Sequence, residues 1–144
     1  MIAAIEGQKF DIQGNLLFIK TQSGVVYETI ATANLIEAAL ETTDLLQIPT
    51  QVIYREDSQT IYAFEDFREK VAFNILIKVP GISGQSAMII LDSIEAVSEL
   101  YEAIADNDTA YLVKIKGIGL NKAKAIIEAL KTKVSKLIEQ PAKQ

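Results

Sequence analysis

Leu76-Ile-Lys-Val-Pro-Gly-Ile-Ser-Gly-Gln-Ser-Ala-Met-Ile-Ile-Leu91 and Leu112-Val-Lys-Ile-Lys-Gly-Ile-Gly-Leu-Asn-Lys-Ala-Lys-Ala-Ile-Ile127 are two versions of one pattern, 36 positions apart. Identities fall at Leu76/Leu112, Lys78/Lys114, Gly81/Gly117, Ile82/Ile118, Ala87/Ala123 and Ile90/Ile126. Each copy reads as a short helix, a glycine turn and a second helix. Such a turn leaves the first N–H groups of the following helix without intrahelical partners, and the helix dipole adds positive character there. Both features suit a phosphate. A single copy is also explained by an ordinary corner between two helices, so the argument rests on the recurrence.

The Gly117-Ile118-Gly119 turn between apolar helices resembles the helix-hairpin-helix motif of proteins that hold nucleic-acid backbone. Glycine admits a close phosphate because no Cβ intrudes. Ile118 is expected to plug the space between the two helices, and Lys116, Lys122 and Lys124 add charge around the turn. The first copy, Gly81-Ile82-Ser83-Gly84, has serine at the second glycine position. Gln85 and Ser86 follow it, where the second copy has Asn121 and Lys122, so no lysine follows the first turn.

Charge is distributed unevenly. The chain carries 14 Lys and Arg against 19 Asp and Glu, a net of −5. Residues 1–113 hold 6 of the basic and 17 of the acidic residues, whereas residues 114–144 hold 8 lysines with only Glu128 and Glu139. A basic end on an acidic body can hold DNA locally and repel it elsewhere. A solvated lysine-rich helix would have the same composition.

The rest of the chain places the hairpins in a fold. Residues 1–7, 15–20, 24–31, 50–55 and 59–64 are short β-rich runs, with a helix over 33–41 and a hairpin tip at Glu56-Asp57-Ser58. Five strands with a helix before the last pair fit a small closed barrel of the OB type, and the pattern alone also fits another small antiparallel barrel or sandwich. After Phe64 the period lengthens. Phe67, Val71, Ile75 and Val79 recur every four residues and are expected to face a core. Ser93 reads as the N-cap of a helix carrying Ile94, Val97, Leu100 and Ile104 on one face. Asp106 to Asp108 reads as a cap before a helix over 110–115. Ala123, Ile126, Ile127, Leu130, Val134 and Leu137 form the stripe of a long last helix. The expected class is α+β: an OB-fold barrel over 1–64, an all-α domain with two helix-hairpin-helix motifs over 65–138, and the start of a linker at 139–144.

The order of these elements is more specific than any one of them. Met-Ile at the start, Gly-Val-Val-Tyr-Glu at 24–28, Arg-Glu-Asp-Ser-Gln at 55–59 and then paired hairpins together resemble the RuvA family of Holliday-junction-binding proteins, over essentially residues 1–138. The resemblance implies a homotetramer or octamer on an open four-way DNA junction, acting in recombination, repair and the SOS response. It implies backbone contacts from Gly81, Ile82, Ser83, Gly84 and Gln85 and from Lys116, Gly117, Ile118, Gly119, Asn121, Lys122 and Lys124. It assigns Glu56 and Asp57 to an acidic pin that repels phosphates at the crossover. It also implies a RuvB-type motor ATPase as partner, docked through a third domain that is absent from residues 1–144. Two departures stand out: Leu120 and Asn121 occupy positions where the family usually has lysines, and the first hairpin lacks its basic residue.

Composition narrows the chemistry. Without Cys or His there is no thiolate, no disulfide and no histidine-based acid–base site. No cofactor or metal is expected, and a P-loop is absent. Helix-hairpin-helix glycosylases place a catalytic Asp downstream of the hairpin, where this chain has Lys136-Leu137-Ile138. Glu56-Asp57 alone is too few carboxylates for a nuclease metal site. No secretory signal or membrane span is visible, so a cytoplasmic, non-catalytic DNA-binding subunit is expected. The alternative is an interaction scaffold with weak general DNA binding.

Overall fold

Alternating burial builds the first half of the chain. In a computed structural model, which describes residues 2–139, β1 (Ala4–Gln13), β2 (Leu16–Lys20) and β3 (Val26–Ala31) form an antiparallel meander. Helix α1 (Ala33–Leu40) follows, then the hairpin of β4 (Leu46–Arg55) and β5 (Ser58–Ala63). The strands close in the order β1-β2-β3-β5-β4, with β3 and β5 parallel and β1 paired to β4. Closure leaves no free sheet edge. Ile5, Leu17, Ile19, Ala31, Ile48 and Ala63 fill the interior, and Leu35 and Ala39 of α1 join them. The OB-type barrel expected at the N-terminus is therefore present.

Two strands exceed their expected bounds. β1 runs to Gln13 rather than stopping at Gly7, because its polar second half pairs with β2. Gly7 is needed there: a Cβ would come within 2.7 Å of the Lys20 carbonyl oxygen of β2. The pairing slips between Lys9 and Asp11, so Phe10 is an unpaired bulge residue, 60% exposed. β4 starts at Leu46 and passes through Pro49. Thr50 donates to the Ala3 carbonyl on one side, while Pro49 accepts from the Phe64 N–H on the other. The donor that proline lacks thus falls beyond the end of β5, where no ladder bond is lost. Met1 of the expected first strand lies outside the described residues.

The helices are α2 (Phe67–Leu76), α3 (Gly84–Ser93), α4 (Val97–Ala105), α5 (Thr109–Leu112) and α6 (Leu120–Glu139). The chain divides into two compact units between Lys70 and Val71, inside α2. The first turn of α2 is tied to the barrel unit by buried Glu69. Its carboxylate accepts from the Thr32 hydroxyl at 2.8 Å, the Asn34 amide at 3.0 Å and the Glu65 N–H at 2.7 Å. Thr32 is also the N-cap of α1.

The α2 stripe needs correction. Ile75 and Val79 are buried, but Phe67 is 48% and Val71 41% exposed. A strict four-residue spacing drifts by about 40° per step on a 3.6-residue helix, so Phe67 and Ile75 lie ~80° apart. The buried face is instead Ala72, Phe73, Ile75 and Leu76. Ser93 is also not an N-cap. It ends α3, where its hydroxyl donates back to the Ile89 carbonyl at 2.6 Å, and α4 begins after Ala96 with no side-chain cap.

Asp108 does cap, accepting from the Tyr111 N–H at 3.0 Å, although α5 ends at Leu112. Just before it, Asn107 adopts a left-handed φ of 56°. The Asp108 N–H bonds the Ala103 carbonyl and the Asn107 N–H bonds that of Ile104, the two bonds of a Schellman close to α4. On α6, Ala123, Ile126, Ile127, Leu130 and Val134 are buried and Leu137 is half-buried. Glu139 is the last residue of α6; the remainder of the expected linker, 140–144, lies outside the described residues. No helix among the described residues is long and apolar enough to cross a membrane.

Tyr101 of α4 is buried, and its hydroxyl has no hydrogen-bond partner among the described residues. Burial pushes its ionisation up to about 12. Tyr101→Phe is expected to stabilise the fold by up to about 1 kcal/mol, since it removes an unsatisfied buried group. Urea unfolding at pH 7 measures this. The phenol ionises near pH 10 in the unfolded chain but near 12 when folded, so its contribution is intact below pH 10 and lost as pH rises through 12. The native chain should lose up to about 1.4 kcal/mol per pH unit over that window on this account. The Phe variant should fall less steeply.

Candidate nucleic-acid interface

The two hairpins repeat one set of backbone bonds. In the first, the N–H of Val79 bonds the Leu76 carbonyl, Ile82 bonds Val79, and Ala87 bonds Ser83, at 3.1, 3.1 and 2.9 Å. In the second, Ile115 bonds Leu112, Ile118 bonds Ile115, and Ala123 bonds Gly119, again at 3.1, 3.1 and 2.9 Å. Every donor and acceptor is shifted by the same interval as the sequence repeat. Gly81 at φ 89° and Gly117 at φ 85° make the reversal, in a region that disfavours any side chain.

The isoleucines are plugs: Ile82 and Ile118 are each 5% exposed. Their side chains are spent on packing, so they can offer a ligand only backbone. Gly81, Ser83 and Gln85 are exposed and Gly84 is buried. Lys116, Gly117, Gly119, Asn121 and Lys124 are exposed, with Lys122 half-buried.

The turns differ at the helix cap. Ser83 is the N-cap of α3, and its hydroxyl accepts the Ser86 N–H at 3.1 Å. That leaves the N–H groups of Gly84 and Gln85 without a protein partner among the described residues. Gly119 stands at the equivalent position before α6 and has no side chain to offer. Three N–H groups remain open there, those of Leu120, Asn121 and Lys122. A Cβ on Gly119 would meet nothing within 4 Å, so the absence of a side chain answers no packing need of the chain itself.

Glu56 and Asp57 form a two-residue tip between Arg55 and Ser58, which pair across the β4–β5 hairpin. Both are exposed, and neither is ion-paired with a cation among the described residues.

The RuvA N terminal domain family matches residues 1–63, and the SAM-like helix-hairpin-helix tandem family matches residues 73–132. A relative from Macrococcus caseolyticus, named Holliday junction branch migration complex subunit RuvA, is 36% identical over 94% of this chain and 68% of its own length. This chain belongs to the RuvA family. Other RuvA relatives are 35% identical in Campylobacter hominis, over 90% of this chain and 70% of that protein, and 40% identical in Flavobacterium psychrophilum, over 69% and 51%. All three carry the same printed name, that of a subunit of a branch migration complex.

Two features of this RuvA-family interface escape a reading of motifs. Ser83 looks like a degraded glycine but acts as a cap, and its place before a helix was a usable signal. A hydrogen bond and charge from Lys78 hold the Lys133 ammonium below its ordinary pKa. No local pattern links residues so far apart in sequence.

Proposed function

We propose that this chain binds four-way DNA junctions without reading sequence, as a homotetramer, and holds them open for a motor ATPase supplied by a partner. The observation that carries this is the pair of matching glycine turns, each ending in open helix N–H groups beside a buried isoleucine plug. Backbone N–H groups and lysines contact phosphates, which carry no sequence information. One subunit offers few contacts, and four linked copies gain affinity through effective concentration without new ones. Cyclic symmetry also suits a substrate with four arms. Family membership supports the same reading, and with it a non-catalytic role and a cytoplasmic location.

Fluorescence anisotropy tests this with a labelled junction and a linear duplex of equal length. The junction should bind more tightly, and its log affinity should fall with log salt at about −0.9 per phosphate neutralised. Light scattering of the complex should give four subunits. Equal affinity for the two DNAs would favour weak general DNA binding, and a monomer on the junction would remove the mechanism.

A further inference from the structure

The β4–β5 ladder outruns the core it grows from. The two strands stay paired at Ile53 with Thr60, Tyr54 with Gln59 and Arg55 with Ser58, so pairing reaches the tip. Burial stops earlier. Side chains alternate along a strand, which puts Thr50, Val52 and Tyr54 on one side of β4. Thr50 and Val52 are buried, whereas Tyr54 is 54% exposed and its cross-strand partner Gln59 is exposed too. Tyr54 thus continues a core-facing row past the end of the core. Its hydroxyl makes no hydrogen bond among the described residues.

Charge decides what such a ring can hold. Tyr54 stands two residues before Glu56, roughly 7 Å along the strand. That is inside the screening length of about 8 Å at physiological salt. A phosphate brought to the ring would therefore meet the repulsion of Glu56 and Asp57. Arg55, the one cation between residues 53 and 60, alternates to the opposite side of β4. An uncharged planar group meets no such penalty. Every nucleobase has a π-face, and stacking one on an aromatic side chain needs no particular base. In duplex DNA those faces are covered by neighbouring bases, and they open where strands part.

We propose that Tyr54 is a stacking platform for a base unpaired at the crossover of a four-way junction. This rests on the junction-binding reading above, with the β4–β5 tip at the crossover. Glu56 and Asp57 then hold the backbone off while Tyr54 receives the base, so one β-hairpin both parts the strands and shelters what it exposes. The contact is independent of sequence, and it exists on a junction but not on linear duplex.

The test uses the full chain as Tyr54→Leu and Tyr54→Phe, on a junction carrying 2-aminopurine at the crossover or midway along a duplex arm. That base analogue brightens when it is unstacked. With Tyr54→Leu the crossover probe should be about twofold brighter than with the native chain, and the arm probe unchanged. Junction affinity should fall about fivefold, the low end for base–aromatic stacking, with the salt slope unaltered because no charge is removed. Tyr54→Phe keeps the ring and should match the native chain in both readouts. Affinity for linear duplex, melting without DNA and the number of subunits on the junction should not move, because the ring is exposed. Native brightness and affinity in Tyr54→Leu would overturn the platform and leave the hairpin reading standing. So would an equal loss from Tyr54→Phe, which would assign the contact to the hydroxyl, or a loss shared by linear duplex. A drop in subunit number would overturn it too, by giving the ring to a neighbouring copy. A native chain that binds junction and duplex alike would instead remove the junction reading itself, and the platform with it.

Discussion

Gly119→Ser is expected to keep the fold at least as stable as the native chain and to weaken junction binding about tenfold, roughly the worth of one charge-assisted hydrogen bond. The fold should accept the change because a Cβ at this position meets open space and the backbone is not left-handed. Serine is also a slightly better N-cap than glycine, by a few tenths of a kcal/mol. The loss comes from the hydroxyl. Ser83 takes the Ser86 N–H in the first hairpin, and a serine at 119 would take the equivalent Lys122 N–H, closing one of three open donors. Gly119→Val should weaken binding further by blocking close approach, at a cost of about 1 kcal/mol in helix capping. Ser83→Gly runs the experiment in reverse by freeing the Ser86 N–H. Gly117 does not serve as a control, because its φ of 85° makes any side chain strained. Anisotropy titrations beside thermal melts separate binding from folding. Should Gly119→Ser bind like the native chain, the open N–H groups of α6 would not be the main phosphate contact.

The hairpins were legible because they are local. Glycine at 81 and 117, isoleucine one residue later and alanine five beyond that are short-range instructions, and the backbone bonds repeat them in register. The closed barrel was legible for a similar reason: alternating runs and the β4–β5 tip stand out against polar neighbours. What failed was set by tertiary context. Residues 8–13 carry only two apolar side chains, Phe10 and Ile12, yet they extend β1 because β2 lies alongside. Residues 46–49 lie outside the expected fourth strand, and only the partner geometry shows why the donor that Pro49 lacks costs nothing. Phe67 and Val71 matched a period too regular for an α-helix, so hydrophobicity alone chose the wrong face. Ser93 had two uses open to it, a forward cap or a bond back to Ile89, and the backbone took the second. The effect of Lys78 on Lys133 links residues far apart in sequence and could be found only from the fold.

Neutralising the tip, by Glu56→Gln with Asp57→Asn, is expected to raise junction affinity about fivefold near 50 mM salt, since removing like charges from a DNA contact relieves repulsion. The two side chains project from a two-residue turn, are exposed, and have no ion-pair partner among the described residues to blunt their charge. Their removal should change stability by under about 0.5 kcal/mol, as for surface positions without special contacts. In the proposed homotetramer four such tips would face the crossover, where strands must part and exchange partners. Negative charge there would cost binding energy and keep the strands from collapsing onto the protein. The gain should therefore be larger for a junction than for a duplex arm that meets no tip, and the balance of affinities should shift measurably at low salt. Raising the salt shortens the range of the repulsion, to about 8 Å at physiological strength, so the difference between variant and native chain should shrink. Branch migration by the partner motor should slow even as binding tightens, because the strands lose the charge that separates them. A double variant with native affinity for both DNAs at low salt would reduce Glu56 and Asp57 to ordinary turn residues. A gain of equal size on linear duplex would make their effect one of net charge rather than of position.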